Sequence, residues 1–194
     1  MVKEIRFHIE GHSRLHSGFQ NFLTEIREAA RSRGVGWTLT MAQGHAVRDF
    51  MKGLRTHPNA FHVVLIDSDG PPDGQLRENL HHRSDWSPPR GSTVSEEQEQ
   101  WMVQVMESWF LADRDALRAY YRAQLRESAL PQNPQIEQVP KQDVLDGLKR
   151  ATDGDYHKGA DAPRILQLLR PEHVRARAPH CRRLFESLLA VLAD

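Results

Sequence analysis

An α/β fold built on a mostly parallel sheet of about four strands, flanked by helices and followed by an α-helical C-terminal part, is what this sequence predicts. Three observations carry that prediction. Short β-branched apolar runs alternate with stretches of helical spacing in the order β-α-β-α-β, the pattern of a parallel sheet with helices on its faces. The run Phe61 to Ile66 (FHVVLI) is almost unbroken in apolar character, as suits a central strand covered on both sides. The chain has 194 residues, 39% hydrophobic and 27% charged, which fits one globular domain with its own core.

The elements follow in order. Ile5 to Ile9 alternate as IRFHI, a short strand that ends at Glu10-Gly11. Leu15, Phe19, Phe22, Leu23, Ile26 and Ala30 fall at helical spacing, and Arg33-Gly34 supplies a basic last turn and a C-cap glycine. Trp37 to Met41 reads as a second strand, and His45 to Leu54 as a second helix that stops before Pro58. Phe61 to Ile66 is the third strand, closed by Asp67-Ser68-Asp69-Gly70. Residues 70 to 100 read as irregular. Trp101 to Met106 (WMVQVM) predicts a fourth strand, with Glu107 directly after it and a helix over SWFLADRDALRAYY. Beyond a proline-punctuated loop, Asp143 to Ala151, Ala162 to Leu169 and Arg182 to Leu192 read as three further helices. The expected organisation is a single domain over 1–194, with a sheet core over about 1–125 and a helical extension over about 140–194.

Composition excludes several classes. Lys+Arg and Asp+Glu both number 26, so the whole molecule carries no gross bias toward nucleic acid or an anionic membrane. Five of the cations are lysine and the rest arginine, which suits either planar gripping of phosphate and carboxylate or simply an arginine-rich base composition. The single cysteine, Cys181, excludes an internal disulfide and a multi-cysteine zinc site, and reads as a buried structural thiol. No apolar run approaches the length of a membrane span, and MVKEIRFHIE lacks the apolar stretch of a signal peptide, so a cytoplasmic protein without membrane contact is expected. Gly34-Val35-Gly36 carries no Walker lysine, which leaves phosphate-loop nucleotide binding and a phosphotransfer activity without support.

In an open parallel sheet, ligands bind outside the carboxyl ends of the strands. Four acids stand there: Glu10 after the first strand, Asp67 and Asp69 after the third, and Glu107 after the fourth. Crowded carboxylates raise one another's pKa unless a cation lies between them, and hard oxygen ligands in this number suit Mg²⁺ or Mn²⁺. The same residues also serve as ordinary helix caps and turn formers, and both readings stay open on sequence. Lys158, in Tyr156-His157-Lys158-Gly159, is a candidate for stabilising transition-state charge or a solvated surface charge. Arg175, Arg177, Arg182 and Arg183 form a basic cluster that reads equally as a nucleic-acid grip or a solvated helix face. His12 and His16 are four apart, but they straddle a turn and a helix start, so they read as surface groups. The loop around Trp86 is a candidate interface.

Glu10-Gly11 and Asp67-Ser68-Asp69 resemble the acidic motifs of the Toprim fold, shared by topoisomerases, bacterial primases and OLD-type nucleases. VVLIDSDGP, MVQVMESWFLAD, LP…VPKQDVL, YHKG and the terminal Arg-Leu-Phe helix resemble a Toprim-like family of unknown function related to RloB, across roughly residues 5 to 190. Genes of that family often lie beside AAA- or ABC-type ATPases in bacterial anti-phage defence islands. The resemblance implies that Glu10, Asp67 and Asp69 bind metal, that Glu107 is a further acidic ligand, and that Lys158 is the active-site lysine. It departs from the OLD pattern after Glu-Gly, where His12-Ser13-Arg14 offers no second acid. The implied function is a Mg²⁺- or Mn²⁺-dependent nuclease acting on DNA or RNA, in defence with an ATPase partner. The alternative is a non-catalytic adaptor or sensor that binds an ATPase or nucleic acid.

Overall fold

Residues 2–72 and 74–194 are described by the computed structural model. Strands β1 (Glu4–Glu10), β2 (Gly36–Ala42), β3 (Phe61–Asp67) and β4 (Glu99–Met102) form one sheet in the order β2-β1-β3-β4, and every neighbouring pair is parallel. Ile5 pairs with Trp37 on one side and Phe61 on the other, and Asp67 pairs with Met102. Both central strands therefore end near one edge, which carries Glu10 and Asp67 as their last residues.

The two-residue period of a strand sends alternate side chains to opposite faces. Ile5, Phe7 and Ile9 of β1 and Val63 and Leu65 of β3 enter the larger core. That core is filled by α1 (His16–Phe22) and α2 (Thr24–Ser32), and by α5 (Ser108–Ala112), α6 (Arg114–Tyr121), α7 (Lys141–Ala151), α8 (Ala162–Leu168), α9 (Pro171–Arg177) and α10 (Pro179–Ala193). At its centre the fully buried Trp109 stacks on Phe22 with ring centroids 4.7 Å apart. Val64 and Ile66 face the smaller core under α3 (Ala46–Thr56) and the short α4 (Leu76–His81).

His8 faces that smaller core, edge-on to Phe50, and its Nε2 lies 3.1 Å from His62 Nδ1. His62 Nε2 donates to the carbonyl of His57 at 3.0 Å. A neutral imidazole carries one proton, so Nδ1 of His62 is the acceptor and Nε2 of His8 the donor. Nδ1 of His8 is then a buried acceptor without a partner. Gly53 of α3 lets the pair fit, because a Cβ there would fall 2.6 Å from His62 Nδ1.

Several elements depart from expectation. The helix expected through Leu15 to Ala30 is interrupted at Leu23, whose backbone leaves the helical region. The fourth strand stops at Met102, because segment 103–106 turns away to serve the sheet edge: Gln104 accepts the Asp69 N–H on its carbonyl at 2.9 Å. Glu107 therefore stands at the N-cap of α5 and not on the strand. The helix expected over SWFLADRDALRAYY is divided at Asp113, whose carboxylate receives the backbone N–H, Nε and Nη2 of Arg170. Helices α4 and α9 lie where no helix is expected from sequence, and α10 begins at Pro179, with proline at the N-terminal position it favours. Among the described residues no helix is long and apolar enough to cross a membrane.

Candidate metal centre and its cleft

A cleft of about 540 Å³ opens at the carboxyl ends of β1 and β3. Glu10, Asp67 and Asp69 line it, together with His12, Arg14, Lys141, Lys158 and the loop residues Gln43, Gly44 and Gly159. Three acids named from sequence thus share one cavity. Asp69 does not prolong the strand: β3 ends at Asp67, and Asp69 takes a left-handed backbone (φ 55°) that an aspartate tolerates better than most residues.

Hydrogen bonds fix the acids. Glu10 Oε2 accepts the backbone N–H of Asp67 at 3.3 Å, which ties the ends of the two strands together. Asp67 Oδ1 accepts the N–H of Met106 at 2.9 Å, and its Oδ2 has no hydrogen-bond partner among the described residues. Burial, followed by the negative charge of Glu107, pushes the Asp67 carboxyl up to about 7, against the pull of Lys158. Burial and the nearby Asp69 also raise Glu10, although the Asp67 N–H opposes them. Two adjacent carboxylates held above their ordinary range mark a place where negative charge lacks compensation.

Glu107 stands behind the cleft and is fully buried. Its Oε1 accepts the hydroxyl of Tyr156 at 3.0 Å, and Lys158 Nζ lies 3.2 Å from Oε1 and 3.3 Å from Oε2. The structure therefore brings Lys158, which lines the cleft, to Glu107, which does not. Burial and the Glu107 charge push the Tyr156 hydroxyl far above its ordinary range, so it remains a donor.

Lys141 carries no functional signal in the sequence. Its Nζ lies 2.5 Å from Asp69 Oδ1, and that hydrogen bond raises the lysine further above its usual range. Gln104 places it: the amide Oε1 accepts the Lys141 N–H at 3.1 Å and fixes the start of α7 beside the sheet edge. The segment VPKQD carried the residue, but only tertiary contact shows its partner.

The four arginines of the C-terminal cluster lie elsewhere, and none lines this cleft. Arg175 pairs with Glu25 at 2.9 Å and sits over the Phe185 ring. Arg177 donates to the Leu111 carbonyl, and Arg183 to the carbonyls of Glu96 and Glu99. Arg182 stays exposed beside them. Cys181 is buried, and burial raises its thiol far above the reactive range, as expected for a structural cysteine.

Among the described residues, three ligand atoms close to within 4.8 Å of one another at Asp113, Asp115 and His173. That set has a geometry able to hold a cation, but Arg170 already occupies it, donating to Asp113 at 2.6 Å and to Asp115 at 2.5 Å. Arg118 adds a second guanidinium on Asp115. Glu10, Asp67 and Asp69 form a wider and less neutralised arrangement, with an acceptor oxygen of Asp67 uncommitted. Carboxylate oxygens are the donors that a hard cation takes, with waters filling its remaining positions.

The fold and the cleft define a parallel α/β domain with an acidic site at its strand ends. The chain belongs to the family described as a domain of unknown function, DUF4276, which matches residues 8–189. No curated protein matches it in sequence. Two solved structures of the C-terminal region of the OLD protein of Xanthomonas campestris pv. campestris are similar in fold. The one phased with iodine has 18% identity and a TM-score of 0.50, and the one phased with mercury 15% and 0.48. In both cases the match covers 100% of this chain and 97% of the other.

Proposed function

We propose that this protein is a divalent-metal-dependent phosphodiester hydrolase of the Toprim type, a nuclease acting on DNA or RNA. The observation that carries the reading is Asp67: a carboxyl at a strand end, raised to about 7 by burial and neighbouring acids, in a cleft that also holds Glu10 and Asp69. The OLD-like fold agrees with it, since it puts the site where an open parallel sheet binds ligands.

Glu10, Asp67 and Asp69 are the residues that would hold Mg²⁺ or Mn²⁺, with Glu107 close behind. Such an ion supplies an acidified water and neutralises charge on the phosphoryl oxygens. The chain's own groups do the rest. The Met106 N–H fixes one oxygen of Asp67, so the other is presented in a single orientation. Tyr156 and Lys158 balance the buried charge of Glu107. With 55% of its side chain exposed, Lys158 is also placed to meet an anionic substrate. A role in anti-phage defence beside an AAA- or ABC-type ATPase follows from the family resemblance.

Incubation of plasmid DNA, single-stranded DNA and RNA with the protein and Mn²⁺ tests the reading. The wild type is expected to cleave at least one of them. Asp67→Asn should slow that cleavage at least roughly a hundredfold, the loss that follows when several kcal/mol of charge stabilisation vanish. Equal cleavage by the variant would remove the assignment.

One observation favours a second reading, the non-catalytic adaptor. Lys141 is paired with Asp69 and Lys158 with Glu107, so two of the four acids already have cations. If calorimetry detects neither Mg²⁺ nor Mn²⁺ binding and no substrate is cut, those lysines serve as permanent substitutes for a metal.

A further inference from the structure

The cleft is lined by three acids, Glu10, Asp67 and Asp69, and by three permanent cations, Arg14, Lys141 and Lys158. The two lysines are paired with acids, Lys141 with Asp69 and Lys158 with Glu107. Arg14 is different. It forms no ion pair among the described residues, and its guanidinium makes one hydrogen bond, from Nη1 to the carbonyl of Gly159 at 3.4 Å. An uncommitted guanidinium beside a cation site is repelled by the cation unless an anion lies between them.

Arg14 sits on a turn that is built firmly. Gly11, at φ 144°, leaves β1 in a conformation that side-chain-bearing residues rarely adopt. That backbone angle, with the end of the Leu15 side chain 2.7 Å from where a Cβ would stand, favours glycine where the 3-10 turn Ser13–Leu15 folds back on the strand end. Leu15 is buried and anchors the turn.

His12 caps that turn. Its Nδ1 accepts the backbone N–H of Arg14 at 3.1 Å. Nδ1 is therefore the unprotonated nitrogen of the neutral ring, and Nε2 carries the hydrogen as a donor. His12 and Arg14 are both exposed and both line the cleft, on the same rim as the Lys158-Gly159 loop. A Cβ on Gly159 would meet nothing within 4 Å, so this rim has open room for a ligand.

We propose that His12 and Arg14 form a phosphate-binding subsite beside the carboxylates, one that holds a backbone phosphate of the nucleic acid by its non-bridging oxygens. Arg14 supplies the planar fork that matches two phosphate oxygens, and His12 supplies a single ring N–H donor. Such a subsite grips the backbone and reads no bases, so it confers no sequence preference. The assignment rests on the nuclease reading and adds to it the group of the substrate that is held.

Fluorescence anisotropy with labelled single-stranded DNA and RNA oligonucleotides, in Ca²⁺ and across a salt series, tests the subsite without any readout of cleavage. Arg14→Ala is expected to weaken binding roughly five- to twentyfold and to lower the salt slope by about one. His12→Ala should weaken it by a smaller factor. Arg31→Ala, on the exposed face of α2, should bind as the wild type does and serves as the control. Arg14→Gln guards against a folding artefact, because it keeps a polar side chain and much of the aliphatic stem, and should show the same loss. Unchanged affinity and slope in both Arg14 variants would overturn the subsite, while leaving the nuclease reading intact if Asp67→Asn still slows cleavage as expected. A wild type that binds no oligonucleotide and cuts none would overturn both.

Discussion

The hydroxyl of Tyr156 donates a 3.0 Å hydrogen bond to Glu107, a carboxylate with no exposed surface that lies 49 residues away in sequence. Lys158, two residues on, reaches the same carboxylate. One short loop before α8 therefore carries both groups that stabilise the deepest charge of the site. Tyr156→Phe removes the neutral donor of this set and leaves the buried Oε1 to Lys158 alone. Unfolding in urea should show a loss of about 1–3 kcal/mol. A variant as stable as the wild type would mean that Glu107 does not depend on this bond.

Arg170 plays the corresponding role at Asp113. That carboxylate is fully buried at the junction of α5 and α6; burial pushes its pKa up, but the hydrogen bonds from Arg170 more than reverse this and hold it below the usual range. Arg170→Ala strands the charge, although 41% of the Arg170 side chain is exposed and water can enter behind it. A lower urea midpoint should appear in the same experiment. Because the Asp113, Asp115 and His173 group is then uncovered, Mn²⁺ should bind more tightly there in the variant, a change that calorimetry would detect.

The histidine pair gives the fold a pH dependence of definite sign. Burial first, then His62, Arg6 and His57, lowers His8 to about 4 from an ordinary value near 6.5. Above pH 6.5 neither the folded nor the unfolded chain protonates it, so its stability contribution is complete. Between pH 6.5 and 4 the unfolded chain binds a proton that the folded one refuses, and stability falls by up to about 3 kcal/mol. His62, lowered by burial as well, acts in the same direction. Urea midpoints measured from pH 7.5 to 4.5 should drop more steeply for the wild type than for His8→Leu. Parallel profiles would show that the pair does not set the slope.

Much of the architecture was legible because it is local. FHVVLI is apolar through its length and forms the central β3, and the alternation of IRFHI matches β1 with its Ile and Phe on one core and His8 on the other. The acids Glu10 and Asp67 were legible for the same reason, as the residues that end apolar strands. What stayed hidden depends on distant contact. Lys141 meets Asp69 across 72 residues, placed by a Gln104 side chain that looks from sequence like one more strand residue. WMVQVM is apolar except for Gln104 and so predicts a longer strand, and nothing local says that its second half leaves the sheet to bond Asp67 and Asp69. The C-terminal arginines looked like a free basic face, yet three of the four spend their donors on neighbouring carbonyls or on Glu25.

Glu10, Asp67 and Asp69 are together expected to accept a divalent cation. Isothermal titration of Mn²⁺ into the wild type and Asp67→Asn at pH 8, where Asp67 is mostly ionised, measures it most directly. Saturable binding in the wild type, weakened at least roughly tenfold in the variant, is the predicted result. Identical isotherms for the two proteins, or no binding to either, would contradict it.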